Sequence, residues 1–266
     1  MSNTNSSSEI RFDDGAGYEQ MMGRWSALVG ERFLDWITVP TGARWADVGC
    51  GNGAFTQQIV QRAAPAEVWA FDPSPGQLSY ARTRLPANAP PVHWAEGDAM
   101  KLPLADASCD VAVMALVLFF VPQPAVGVAE MVRVVRPGGI VAAYHWDILN
   151  GGFPLAAIGA EALKMGLPPR LPPSVEASTI EASTKLWTDA GLQAVRTTQF
   201  TVERRFVHFD EYWDASAKSS SMRPMFEGLS AEDMALLKSR VRERVKAGEG
   251  PLTLSARANA VCGIRA

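Results

Sequence analysis

Six residues in the first hundred positions have the types and spacing to bind a polar ligand through backbone and carboxylates: Asp47, Gly49, Gly51, Gly53, Asp72 and Asp98. The three glycines alternate within Trp45-Ala46-Asp47-Val48-Gly49-Cys50-Gly51-Asn52-Gly53-Ala54-Phe55. Glycine permits positive φ and lets a ligand lie directly against the main chain, and a helix that starts just after the loop aims its free N–H groups back at it. The spacing selects among ligands. A dinucleotide fingerprint has glycines at relative positions 1, 3 and 6, whereas these fall at 1, 3 and 5, and no P-loop lysine follows. By itself the trio is also compatible with a plain tight turn between strand and helix. Asp72 closes Trp69-Ala70-Phe71-Asp72, 19 positions after Gly53, where a doubly wound sheet places a ribose-binding acid. With Pro73 and Pro75 following, it could instead cap the next helix. Asp98, in Glu96-Gly97-Asp98-Ala99, would alone be read as a loop acid.

The elements that must position these groups alternate in type. Strand-like runs fall near 44–48, 67–72, 92–95, 110–115 and 139–145, with helical segments near 54–63, 75–85 and 124–135. Such alternation predicts a parallel sheet with helices on both faces. Arg136-Pro137-Gly138-Gly139 is expected to stop the third helix and turn the chain into the fifth strand. Upstream, a helix from Ala27 to Ile37 has an amphipathic face of Leu28, Phe33, Leu34 and Ile37. Past Tyr144 the alternation breaks. A short helix (Leu155 to Met165) leads to the proline-dense Gly166 to Pro173, then a helix from Ser178 to Ala190 and a strand from Ala194 to Phe206. Phe209 to Ala217 and Ala231 to Ala247 are expected to be helical, the latter with Met234, Leu237, Val241 and Val245 on one side.

Asp47 with the glycine trio, Asp72 and Asp98, in this order and at these separations, resembles the class I S-adenosylmethionine-dependent methyltransferases. Tyr18, followed by Gly23-Arg24-Trp25-Ser26, is similar to a segment of the small-molecule type, the quinone-biosynthesis (methyltransferase type 11) group. The resemblance implies an α/β fold: a doubly wound, mostly parallel seven-stranded sheet, Rossmann-like, whose last strand is antiparallel. Residues 1–10 would be a disordered N-terminus and 11–266 one domain. Its core sheet would span 44–146, its lid insertions 151–175 and 208–248, and its closing strands 194–206 and 251–264. The cofactor would be S-adenosyl-L-methionine, leaving S-adenosyl-L-homocysteine. Gly49, Gly51 and Gly53 would cradle its methionyl part and Asp47 would attract the ammonium. Asp72 would take both ribose hydroxyls, Pro73 would wall the adenine, Asp98 would accept from the exocyclic amine, and Ala99 N–H would reach a ring nitrogen. Tyr18 and Arg24 would approach the methionine end, Arg24 pairing with the carboxylate. From Ala115 the family lines the passage from cofactor to substrate.

Here that passage, Ala115-Leu116-Val117-Leu118-Phe119-Phe120, is wholly apolar where many relatives carry polar groups. It points to a small hydrophobic or aromatic acceptor, with Phe119, Trp146, Phe153 and Trp213 as candidate contacts that could equally be core. Methyl transfer from a sulfonium is an in-line displacement that positioning can drive. If a base is needed, His145 at the end of the fifth strand is the candidate, against a structural histidine under the lid; His93 and His208 are poorly placed. A nicotinamide-dependent oxidoreductase is disfavoured by the glycine spacing, and a non-catalytic cofactor-binding regulator or assembly partner remains an alternative.

The chain has 266 residues, 47% hydrophobic and 20% charged, enough for one sizeable core. A net charge of −3 argues against nucleic acid as a partner. Cys50, Cys109 and Cys262 are too few and scattered for a disulfide framework, and no metal-ligand spacing occurs. With no signal-like N-terminus and no apolar run of about 18 residues, the expectation is a cytoplasmic monomer or homodimer acting on a small molecule, without a membrane span.

Overall fold

The computed structural model describes residues 22–168, 171–217, 222–226 and 228–266. The chain runs α1 (Arg24–Ile37), β1 (Arg44–Val48), α2 (Ala54–Arg62), β2 (Glu67–Asp72), α3 (Pro75–Ala81), β3 (Val92–Glu96), β4 (Cys109–Ala115), α4 (Pro124–Val134) and β5 (Val135–Trp146). It continues through α5 (Ala156–Lys164), α6 (Ile180–Asp189), β6 (Gln193–Phe206), α7 (Phe209–Ala217), α8 (Arg223–Phe226), α9 (Ala231–Arg244) and β7 (Leu252–Ile264). The strands form one seven-stranded sheet in the order β3-β2-β1-β4-β5-β7-β6. β1 to β5 are parallel, and β7 runs antiparallel between β5 and β6. Strand order reverses between β1 and β4, so the ligand crevice of this fold lies at their carboxyl ends.

The inner strands are buried on both faces, which is why they read as apolar runs. One face, with Trp45, Val111, Ala142 and Tyr144, packs on α1 and α2 through Phe33, Phe55 and Ile59. The other, with Ala46, Ala112, Val141 and Ala143, packs on α4 and α6 through Val128, Met131 and Trp187. The Trp187 indole also donates to the Val141 carbonyl at 2.8 Å. Helix starts follow local chemistry: Ser74, Thr179 and Ser230 accept from Gln77, Ala182 and Asp233 N–H at the heads of α3, α6 and α9.

Two expectations are corrected. The first helix begins at Arg24, three residues early, and Leu28 is on its exposed side. Arg136-Pro137-Gly138-Gly139 lies inside β5 as an irregularity, where the ladder jumps from the Cys109–Val135 pair to Val111–Ile140. Gly138 takes φ +74, and its N–H bonds the Arg265 carbonyl at 2.8 Å, so the tetrapeptide is stitched to the chain end. The expected lid segments also share a core with the sheet: Leu155 and Ile158 of the first insertion and Phe209, Tyr212, Trp213, Leu237 and Val241 of the second join the cluster containing Trp25, Phe33 and Trp146. Buried Glu161 of α5 ties the insertions together, bonding Arg244 of α9 and Lys164 at 2.9 Å each. The closing strand is fixed by Asp147, whose carboxylate accepts from Arg257 at 2.6 and 2.8 Å.

Candidate functional site

β1 delivers Asp47 and then the glycine loop to the carboxyl edge, and β2, paired with it in register, delivers Asp72 beside them. Gly49, Gly51 and Gly53 take φ of +78, +52 and +78, all left-handed. The Gly49 and Cys50 N–H groups bond the Phe71 carbonyl at 2.7 and 2.8 Å, folding the loop over β2. Two glycines are needed for packing. A Cβ on Gly49 would sit 2.6 Å from both Val117 methyls, and one on Gly53 would sit 2.9 Å from the Ala81 Cβ and from the Trp94 ring. Gly51 is different: a Cβ there would meet nothing within 4 Å. Its backbone therefore borders open space beside the Asp72 carboxylate.

Asp72 holds this geometry. Its Oδ2 accepts from Gly51 N–H at 2.8 Å and its Oδ1 from Ser74 N–H at 2.9 Å. The helix-cap alternative falls to Ser74, which caps α3. Each Asp72 oxygen keeps a lone pair for a ligand donor, and burial pushes the carboxyl up despite the two N–H bonds. Asp47 is fully buried; its Oδ2 accepts the Thr56 hydroxyl at 2.6 Å, while Oδ1 has no partner. Burial pushes Asp47 up to about 7, opposed by Thr56 and assisted by the charge of Asp72. The folded state therefore binds more protons than the unfolded chain between the ordinary carboxylate range and about 7. Stability contributed by Asp47 falls as pH rises through that window. Asp47→Asn, which keeps an acceptor for Thr56, is expected to gain stability relative to wild type as pH rises from 4 to 8. The gain should be on the order of 3 kcal/mol, read from denaturant midpoints; a pH-independent difference would contradict it.

The rest of the site is set by long-range contacts. Arg84 donates to the Asn52 carbonyl at 2.6 Å and to Gln57 at 3.2 Å, clamping the loop from beyond α3. Asp98 is exposed, with Oδ1 accepting from Met100 N–H at 2.8 Å, and Ala99 follows half-buried. Arg133 holds the next segment through the Leu102 and Leu104 carbonyls at 2.9 and 2.7 Å. Pro73 is exposed beside Asp72. Half-buried Ala115 ends β4, and Leu116 turns the chain with φ +64, an unusual conformation for a non-glycine residue. Thr56 and Arg84 were not singled out from sequence; only their distant partners give them roles.

Other candidates are placed elsewhere. Tyr18 lies outside the described residues. Arg24 is exposed, and its charge acts on Arg204 of β6, four positions across the sheet from β1, about 19 Å at the usual strand spacing. α1 also runs beside α2, where the Gln58 amide donates to the Ala27 carbonyl at 2.9 Å, so α1 packs on both β6 and the helix that leaves the glycine loop. His145 is wholly buried and, sharing strand parity with Val141 and Ala143, faces the α4/α6 side. Neither ring nitrogen has a partner, and burial lowers it to about 4 against the pull of Asp147. It is a neutral interior group, which removes it as the base. Phe119, Trp146 and Trp213 are all buried and Phe153 half-buried, each packed in the α1 side core. Trp213 stacks on Phe209 with centroids 6.3 Å apart. No group of three His, Cys, Asp or Glu among the described residues could hold a metal, and no helix among them is long and apolar enough to cross a membrane.

A family model described as a methyltransferase domain matches residues 46–143, the stretch from Ala46 of β1 through Ala143 of β5 that contains every element of this cradle. Over residues 46–143 the chain is similar to that family. The malonyl-[acyl-carrier protein] O-methyltransferase of Serratia marcescens is 36% identical over 130 residues, 49% of either chain. The ubiquinone/menaquinone biosynthesis C-methyltransferase UbiE of Dinoroseobacter shibae is 34% identical over 148 residues, 49% of this chain and 59% of its own. The match thus spans about half the length of these curated relatives. The fold extends further: the Haemonchus contortus phosphoethanolamine N-methyltransferase 2 solved with S-adenosylhomocysteine superposes with a TM-score of 0.59 at 16% identity. That superposition covers 96% of this chain and 58% of that one. The matched stretch therefore sits in a seven-stranded sheet like that of this methyltransferase, and the fold likeness continues past residue 146.

Proposed function

We propose that the chain transfers a methyl group from S-adenosylmethionine to a small, apolar or aromatic acceptor. The observation that carries this reading is the open backbone at Gly51 held against buried Asp72, in the stretch that the methyltransferase-domain model matches. The residues fit the group. Asp72 has lone pairs for both ribose hydroxyls while its N–H bonds fix the loop. The unpartnered Asp47 Oδ1 gives a buried anionic end for an ammonium, whose charge would favour the ionised carboxylate. Asp98 and Ala99 N–H would read the adenine edge and Pro73 would cover its face. When bound, the cofactor supplies an electrophilic methyl on a sulfonium. The chain then contributes alignment and exclusion of water: Ala115, Leu116 and Phe119 form an apolar boundary at the end of β4. No base is assigned, because His145 faces the interior of the other layer.

Titration of the chain with S-adenosylmethionine, S-adenosylhomocysteine and NAD tests the binding half. Transfer of an isotopically labelled methyl group to a component of a metabolite extract, read by mass spectrometry, tests the catalytic half. Labelled product is the expected result. Binding with no transfer to any component would instead favour a regulatory or assembly role.

A further inference from the structure

The chain leaves β4 in a conformation that few aliphatic residues adopt. Leu116 has φ +64, and its N–H is bonded to the Tyr144 carbonyl of β5 at 2.8 Å. A left-handed leucine persists only where its surroundings over-determine it, and such positions gather at ligand sites. What the turn gains is the placement of Val117. Both Val117 methyls stand 2.6 Å from where a Cβ on Gly49 would be, so they rest on the bare backbone at the start of the glycine loop. Val117 is half-buried, and its carbonyl accepts from Phe120 N–H at 2.7 Å, closing the 3-10 turn Leu118–Phe120. The far side of that turn is held by the first insertion. Ser174 donates its N–H to the Phe119 carbonyl at 3.0 Å and its hydroxyl to the Val121 carbonyl at 2.8 Å. The next 3-10 turn, Val175–Ser178, packs on Leu118–Phe120. One short segment therefore touches the glycine loop with a side chain and the insertion with two carbonyls, and between these contacts it bounds the apolar passage.

We propose that Val117 is a positioning residue for methyl transfer: it couples the glycine loop to Ser174, so that a cofactor bound on the loop orders the first insertion and fixes the wall of the acceptor passage. The inference rests on the methyltransferase reading and adds a residue that acts through Gly49. A ligand shifts a segment only as far as it binds one arrangement better than another. Here the difference is steric. A ligand lying against the loop fixes the Gly49 backbone, and with it the seat of the Val117 methyls. The Phe119 and Val121 carbonyls follow because they belong to the same turn, and Ser174 bonds both. Val117 takes no part in the displacement itself.

Hydrogen exchange of backbone amides, read by NMR on the full chain with and without saturating S-adenosylhomocysteine, tests this without an acceptor. The Ser174 amide reports the coupling. The Gly42 amide, bonded to the Ala64 carbonyl at 2.8 Å just before β1 at the opposite edge of the sheet, reports stabilisation of the whole fold. The ligand should slow Ser174 exchange at least about fivefold more than Gly42 exchange, the lower end of ordinary coupling between sites. Val117→Ala, saturated with the same ligand, should lose most of that difference, and Val117→Thr, which keeps both branches against Gly49, should retain it. Ser174→Ala, which removes only the hydroxyl bond to Val121, should reduce the difference in a chain whose loop is untouched. Equal slowing of the two amides, no slowing at Ser174, the full difference in either alanine variant, or its loss in Val117→Thr would each overturn the proposal. Failure of the wild type to bind S-adenosylhomocysteine would strike the methyltransferase reading instead.

Discussion

Gly49→Ala will lower stability by about 2–5 kcal/mol, whereas Gly51→Ala, two positions on, will leave the protein folded and abolish cofactor binding. The first effect combines two costs. Residue 49 has φ +78, where an L side chain loses ~1–2 kcal/mol, and the new methyl would lie 2.6 Å from both Val117 methyls, in a place where overpacking costs ~1–3 kcal/mol. Val117 cannot retreat freely, because it enters the turn that Leu116 holds through its N–H bond to the Tyr144 carbonyl at 2.8 Å. At Gly51 only the backbone cost applies, reduced because φ +52 lies within the small left-handed region open to ordinary residues. No protein atom lies within 4 Å of the added methyl, so it would protrude into the space assigned to the ligand. Denaturant midpoints and S-adenosylhomocysteine affinities measured on both variants decide the matter. A Gly51→Ala protein that retains wild-type affinity would show that the loop faces nothing.

Asp72→Ala should weaken cofactor binding by roughly 1.5–3 kcal/mol, the scale of hydrogen bonds to a charged group, or about ten- to a hundredfold. The carboxylate acts twice here. It would take the ribose hydroxyls, and it already fixes the Gly51 and Ser74 N–H groups at 2.8 and 2.9 Å, so its loss also loosens the loop. Asp72→Asn separates the two, since the amide oxygen can still accept from one N–H while only one acceptor remains for a diol. The expected order of affinity is wild type, then Asn, then Ala. Unchanged affinity in a folded Asp72→Ala protein would remove this residue from the site.

The two predictions concern the part of the molecule most legible in sequence. β1 to β5 were readable because strands buried on both faces become apolar runs, and the glycine trio and strand-end acids because their roles depend on local spacing. The limits were equally physical. His145 was placed at the right edge of the sheet, yet which face its ring takes follows from register with β4 and β7, which no local pattern reports. Arg24 belongs to a segment that resembles a cofactor-closing element, and only the packing of α1 on both α2 and β6 brings its charge within reach of Arg204. Leu28 fits the helical period and still faces outward, because α1 needs only one stripe to cover the sheet. Arg136 to Gly139 carries the residues of a helix stop and is instead absorbed as an interruption within a long strand. Thr56 and Arg84 act through partners 9 and 32 positions away.

The central claim is that the Gly49–Gly53 loop with Asp47 and Asp72 is a site for an adenosyl sulfonium cofactor. Isothermal titration of the wild-type chain with S-adenosylmethionine, S-adenosylhomocysteine and NAD tests it most directly. The account predicts that the first two bind one per chain and compete with each other, and that NAD gives no heat and displaces neither. Binding of NAD with no binding of either adenosyl ligand would contradict it.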